Sequence, residues 1–252
     1  MSSASTEIGQ PITLTDQLLV QAEPDDLDVV LKLADRDGGG LVLTGERAVE
    51  ACKARWRGSF TRPVLVDRRR YAGRARRRGT EPLTDHWLSG QQEAGVTAVL
   101  SDSGYIGEGD GRALGSVLAQ SAGAGSPVVA VLPLHISWLD AGLKKLTSEI
   151  NEHGVPAALV LEHSGDPLGA QWAVKGLTKL LANAEVPVSM LCCDISGIGA
   201  LAFGADWSAV GVRSRLRHLY PTDDSGYKRT PSVSALVKPM LSIVTVEKCR
   251  LP

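Results

Sequence analysis

Four carboxylates stand at or just past the ends of short apolar runs: Asp67, Asp102, Glu162 and Asp194. Carboxylates gathered in one place raise one another's pKa values, which is how a general acid or base near neutral pH is made. His135 and His163 stand at equivalent points of two neighbouring runs. The expected catalytic set is therefore Asp102, Glu162, His135, Asp67, Asp194 and His163. Taken singly, each acid has a plainer reading, because strand ends meet water and cap the helices that follow. No HxH or HExxH spacing joins the histidines, so no metal is expected. His86, His153 and His218, on helices or helix ends, get no role, and Trp138, Trp172 and Trp207 are expected to pack.

Two further clusters could bind anions. Ser196, Gly197 and Gly199 form a Gly-containing turn after one run, and Arg213-Ser214 follow the next. Backbone N–H groups at such a turn, with a nearby arginine, suit a phosphate. The second cluster is denser. Arg68, Arg69, Arg70, Arg74, Arg76, Arg77 and Arg78 place seven arginines within eleven residues, with Tyr71 among them. Such a cluster suits phosphate chains, and Tyr71 could stack a base, so Arg68, Arg70, Tyr71, Arg74, Arg76, Arg77 and Arg78 form an alternative nucleic-acid surface. A solvated loop balanced by acids elsewhere is the competing reading.

These residues need a scaffold that brings the ends of many runs together. The apolar runs are Gln17–Gln21, Gly40–Leu43, Val64–Val66, Ala98–Leu100, Val128–Leu132, Ala157–Leu161, Val188–Leu191 and Ala209–Val212. Near-continuous apolar character suits parallel strands buried on both faces. Helix-length segments lie between them: Asp25–Asp35, Arg47–Arg57, Asp85–Glu93, Arg112–Ala122, Leu139–Glu152, Gly169–Ala184 and Gly199–Phe203. Strict alternation argues a parallel sheet, and eight units argue closure into an α/β single (β/α)8 (TIM) barrel. An open doubly wound sheet is the competitor.

Asp67–Thr84 is a long loop after the third strand and would hang over the barrel mouth, where long loops are often functional. Thr222–Pro231 reads as a mobile loop or linker. Residues 232–252 read as a C-terminal extension, with Ser232–Val237 as a final helix and Leu241–Val246 as an added strand. The whole of 1–252 is expected to form one barrel domain.

A net charge of −1 in 252 residues excludes a global pull toward nucleic acid or membrane. Cys52, Cys192, Cys193 and Cys249 show no CxxC spacing, and no apolar run approaches a membrane span or a signal sequence. A cytoplasmic protein without structural metal or disulfide is expected.

The passage from Leu191 to Leu219 runs strand, Gly-turn, short helix, strand, basic turn. It resembles the last quarter of the phosphate-binding (β/α)8 barrels, where those two loops hold a substrate or cofactor phosphate. Ser101-Asp102-Ser103-Gly104-Tyr105-Ile106-Gly107 resembles the Asp-Ser-Gly-Gly turn of the tRNA-guanine transglycosylase superfamily. The resemblance implies that Asp102 is the acid/base carboxylate and that Ser103 helps bind a base. The family's second, nucleophilic aspartate falls where this chain has Ser208-Ala209-Val210, and its cysteine-rich zinc site is absent. The usual covalent mechanism is therefore not implied.

The expected function is a barrel enzyme acting on a phosphate-bearing, nucleotide- or nucleobase-like substrate by carboxylate acid/base chemistry. The alternative is a non-catalytic barrel binding nucleic acid or another polyanion through the arginine loop. A third reading is an oxidoreductase holding flavin or another phosphate cofactor in the same loops. The residues assign no cofactor by themselves.

Overall fold

The computed structural model describes residues 14–55, 60–125, 127–222, 234–237 and 242–245. The chain divides into two compact units, Met1–Pro221 and Thr222–Pro252. In the first, strands and helices alternate: β1 (Gln17–Ala22), α1 (Leu27–Ala34), β2 (Gly39–Thr44), α2 (Ala48–Arg55), β3 (Val64–Asp67), α3 (Asp85–Glu93), β4 (Val99–Leu100) and α4 (Gly111–Ala122). They continue as β5 (Val128–His135), α5 (Leu143–His153), β6 (Ala157–Glu162), α6 (Gln171–Asn183), β7 (Val188–Cys193), α7 (Gly197–Ala202) and β8 (Trp207–Gly211). The eight strands are parallel and follow the order β3-β2-β1-β8-β7-β6-β5-β4. This is a nearly closed (β/α)8 barrel. No helix among the described residues is long and apolar enough to cross a membrane.

The expected alternation holds, and β2, β6 and β7 are buried along their whole length. Leu19, Val42, Leu65, Leu100, Val131, Val160 and Leu191 fill the barrel interior, as branched residues do in such barrels. Outward-facing strand residues pack under the helices in two further clusters. Element ends differ by a few residues from expectation. The clearest case is α5, which starts at Leu143 because Ile136–Leu139 first form a 3₁₀ turn. That turn buries Trp138, whose indole N–H donates to the Gly107 carbonyl at 2.8 Å. Gly154 ends α5 at φ 64°, the left-handed conformation that favours glycine.

The seam between β3 and β4 has no continuous ladder. At its lower end the Thr97 N–H donates to the Val64 carbonyl at 2.8 Å, and the Val64 N–H to Thr97 Oγ1 at 2.9 Å. At its upper end the arginine loop takes the place of a strand. The Tyr105 N–H donates to the Arg77 carbonyl at 2.7 Å, and the Gly79 N–H donates to the Tyr105 carbonyl at 2.8 Å. Gly104 makes this possible, because a Cβ there would collide with the backbone of Arg77 and Arg78. Gly104 thus turns closely around the chain's own loop.

After β8 the chain forms a 3₁₀ turn, Ser214–Leu216. In the second unit, β9 (Ser234–Val237) and β10 (Ser242–Thr245) pair antiparallel, with Val237 opposite Ser242 and Ser234 opposite Thr245. The final helix expected at Ser232–Val237 is thus corrected to a strand. The segment finds a β-branched partner in Ile243 and Val244, and pairing overrides local helix propensity. Strand β10 agrees with the strand expected at Leu241–Val246. The linker expected at Thr222–Pro231 lies outside the described residues except for Thr222.

Gly104→Ala should free the loop from the seam without unfolding the barrel. Limited trypsin digestion is expected to cut at Arg74, Arg77 or Arg78 in the variant at least tenfold faster than in the parent, with far-UV circular dichroism unchanged. Equal cleavage rates would show that the loop is held some other way.

Candidate functional site

Each strand-end acid has a fixed position and a partner. The Asp102 side chain has no exposed surface. Its Oδ2 accepts from Arg68 Nη1 at 2.9 Å and Arg70 Nη1 at 2.8 Å, and its Oδ1 from the Thr84 N–H at 3.0 Å. Arg68 also pairs with Glu46 at 2.9 Å and lies 5.3 Å from the Trp87 ring centre. The residue expected to move a proton therefore anchors the loop. Glu162, at the end of β6, is buried and accepts from the Tyr105 hydroxyl and from Arg76. The Arg76 guanidinium lies 3.5 Å from the Tyr105 ring centre. Arg77 pairs with Glu81 at 2.6 Å. Acids after β2 and β4 and at the end of β6, with Glu81 of the loop itself, thus pair with most of the loop's arginines, and the seven do not form an open cationic face.

The histidines do not converge. His135 Nδ1 lies 2.7 Å from the Ser137 hydroxyl, and His163 Nδ1 accepts from the Gly165 N–H at 3.1 Å, so each holds its own turn. Asp194 accepts from the Ile195 N–H at 2.8 Å and lies 3.9 Å from Arg217. No group of three potential metal ligands gathers among the described residues.

Asp67 has a different setting. It closes β3, is 1% exposed, and sits where β1, β2, β3 and β7 meet. Its Oδ2 accepts from the Tyr71 hydroxyl at 2.7 Å and more weakly from Gln21 Nε2 at 3.4 Å; its Oδ1 accepts from the Arg69 N–H at 2.9 Å. Gln21 also donates to Thr44 Oγ1 at 2.8 Å and accepts from the Cys192 N–H at 2.7 Å. Burial pushes the Asp67 carboxyl above its ordinary value, against the opposing Tyr71 hydrogen bond, Arg69 N–H and Arg69 charge. Burial also raises the Tyr71 hydroxyl well above its ordinary range and the Cys192 thiol to about 12. Both are protonated at neutral pH.

Backbone strain collects at the same place. Among the described non-glycine residues only Asp16, Arg69 and Cys192 have positive φ; Arg69 is at 63° and Cys192 at 55°. Such conformations cost about 1–3 kcal/mol each and cluster where surrounding structure imposes them, commonly at functional sites. Arg69 sends one guanidinium nitrogen to the Arg215 carbonyl, while its Nε is buried with no hydrogen-bond partner among the described residues. A perturbed acid, a cation with an unmet donor and two strained residues therefore share one point of the mouth. Tyr71, expected to stack a base, is 1% exposed and closes the barrel interior over Asp67, so it is not available for stacking. Gln21, Arg69 and Cys192 were not in the expected site. The one signal was Gln21, an uncharged polar residue ending an apolar run.

The Gly-turn and the basic turn are used for internal contacts. A Cβ on Gly197 would strike Cys193 Sγ, so this glycine serves packing, whereas Gly199 faces open space. The helix that follows Ser196 has six residues. Arg213 makes a two-pronged pair with Asp26, its Nε donating at 2.8 Å, and its hydrogen bond holds the Asp26 carboxyl below its ordinary range. Arg215 pairs likewise with Glu23, its Nε at 2.7 Å. Ser214, between them, is exposed and opens the 3₁₀ turn. Together these pairs clamp the β8 loop to the β1 loop.

No known protein family matches the sequence, and no curated protein matches it. Solved structures do match in fold. A variant tryptophan synthase alpha-subunit from the hyperthermophile Pyrococcus furiosus shares 15% identity over 79% of this chain and 88% of that chain, with a TM-score of 0.50. Another variant of that subunit shares 16% identity over the same proportions, with a TM-score of 0.49. At such identities the likeness is one of fold, a (β/α)8 barrel, and it carries no transglycosylase identity.

Two substitutions separate the anchor from the perturbed acid. Asp102→Asn breaks a buried ion pair and should lower unfolding stability by about 3–5 kcal/mol. Asp67→Asn should act on pH dependence. Between 3.8 and the raised folded value, the unfolded chain has released a proton that the native chain retains. Stability contributed by this group therefore falls as pH rises through that window and is level above it. Urea unfolding across the acid range should show this slope in the parent and lose it in Asp67→Asn.

Proposed function

We propose that this barrel is an enzyme working at the carboxyl-end mouth on a phosphate-bearing small molecule, nucleotide-like in size, by acid/base chemistry. Asp67 is the proton-transfer group in this reading, and Arg69 supplies the charge that meets the anion. The observation that carries it is the pairing of a buried carboxyl, raised by that burial above its ordinary value, with an adjacent strained arginine whose Nε lacks a partner among the described residues. A carboxyl raised by burial is suited to give and take a proton near neutrality. A preorganised guanidinium suits a phosphate oxygen. Active sites of such barrels are built from the loops at this end, which supports the location.

Tyr71 and the arginine loop cover Asp67, so a substrate reaches it only when this loop lifts. Lifting would also release Arg68, Arg70 and Arg76 from Asp102 and Glu162, adding cations at the moment an anion enters. The reading as a nucleic-acid or polyanion module has less support, because four loop arginines are paired with acids and Tyr71 is buried.

Calorimetric titration of a panel of mononucleotides and sugar phosphates, with inorganic phosphate as reference, tests the proposal. At least one phosphate ester should bind the parent. Arg69→Met should weaken it about ten- to a hundredfold, the worth of one charged hydrogen bond. Asp67→Asn should retain the binding and lose turnover of that ester. Binding that ignores Arg69→Met, or an Asp67→Asn variant with parental turnover, would overturn the assignment.

A further inference from the structure

The other end of the barrel holds a cavity of about 710 Å3, lined by Leu14, by the ends of α3 and α4 and by residues around the starts of β4 to β8. Small ligand sites have volumes of this order. The space arises because inward positions that usually carry branched side chains are here Ala98 and Ser189, beside Trp207. Trp207 stands beside Ser189 across the β7–β8 pairing, since Met190 pairs with Ser208. Both side chains are at least nine-tenths buried, at 2% exposure for Ser189 and 1% for Trp207. The Ser189 hydroxyl and the Trp207 indole N–H make no hydrogen bond among the described residues, yet both residues line the cavity. Buried polar groups ordinarily find partners. The charge at the wall is equally specific. Among the described residues no lysine, arginine or histidine lines the cavity, and the one ionisable lining residue is Asp206, whose Oδ1 accepts from Thr15 at 2.9 Å.

We infer that this cavity is a binding site for an uncharged, largely apolar small molecule carrying a hydrogen-bond acceptor, such as a carbonyl or an aromatic nitrogen, that meets Ser189 and Trp207. The wall excludes anions, having one carboxylate and no counter-charge. The site is separate from the mouth: the packed interior residues Leu19, Val42, Leu65, Leu100, Val131 and Leu191 lie between the two ends. It therefore stands or falls independently of the chemistry assigned to Asp67.

Fluorescence titration of the full chain with prodan, an uncharged naphthyl ketone, tests the site against anilinonaphthalene sulfonate, an anionic dye of similar size. Prodan is expected to bind saturably with one equivalent, blue-shifted emission and energy transfer from tryptophan, while the anionic dye binds at least tenfold more weakly. Ser189→Ala removes the donor without filling the space, and should weaken prodan about two- to tenfold. Trp207→Phe should remove most of the energy transfer, and Ala98→Leu should block binding by filling the space. If Ala98→Leu does not fold, Ser189→Leu serves the same purpose. Equal binding of both dyes, prodan binding unchanged in the filling variant, or no prodan binding to the intact chain would each overturn the inference.

Discussion

Asp102 receives two guanidinium groups in a place that water does not reach, and much of the upper half of the barrel depends on that contact. Its carboxylate follows β4, while Arg68 and Arg70 follow β3, so the ion pairs cross the one seam where the ladder is interrupted. A buried carboxylate without partners would be costly, and two arginines without it would be equally so. The contact therefore fixes the course of the loop. With the loop seated, Tyr71 is carried into the barrel interior, Arg69 is forced to positive φ, and Arg76 reaches Glu162 on the far side of the mouth.

Charge is accordingly balanced locally. The near-zero net charge conceals a mouth in which acids and arginines alternate across loops: Asp102 with Arg68 and Arg70, Glu162 with Arg76, Asp26 with Arg213, Glu23 with Arg215. The β8 loop is clamped to the β1 loop by the same device that ties the β3 loop to β4. Asp67 is the exception. Its hydrogen bonds come from a tyrosine, a glutamine and a backbone amide, without a direct guanidinium contact, and burial leaves its carboxyl above the ordinary value.

The barrel has unlike ends. The upper one is filled with paired charge and closed by Tyr71. The lower one is apolar and roomy, with small residues where interior side chains usually interlock. Both follow from which residues occupy the inward positions of each strand, because adjacent strands contribute their ends to one shared layer.

The alternation of apolar runs with helix-length segments was enough to read the barrel, since burial on both faces imposes its own composition on a parallel strand. The positions of Asp67, Asp102, Glu162 and Asp194 at strand ends were equally legible, because chain order along a strand decides which end a residue occupies. What each acid does was not legible. Asp102 and Asp67 look alike along the chain, and they differ only because loop residues one to four positions beyond β3 fold toward different neighbours. The same holds for Gly197, which reads as part of an anion-binding turn and which tertiary packing sets against Cys193. Helix or strand at residues 234–237 was decided by a partner strand. Periodicity and burial are properties of one segment and survive in the sequence. Hydrogen-bond partners, pKa values and cavities belong to pairs of segments distant in the chain, and only folding brings those pairs together.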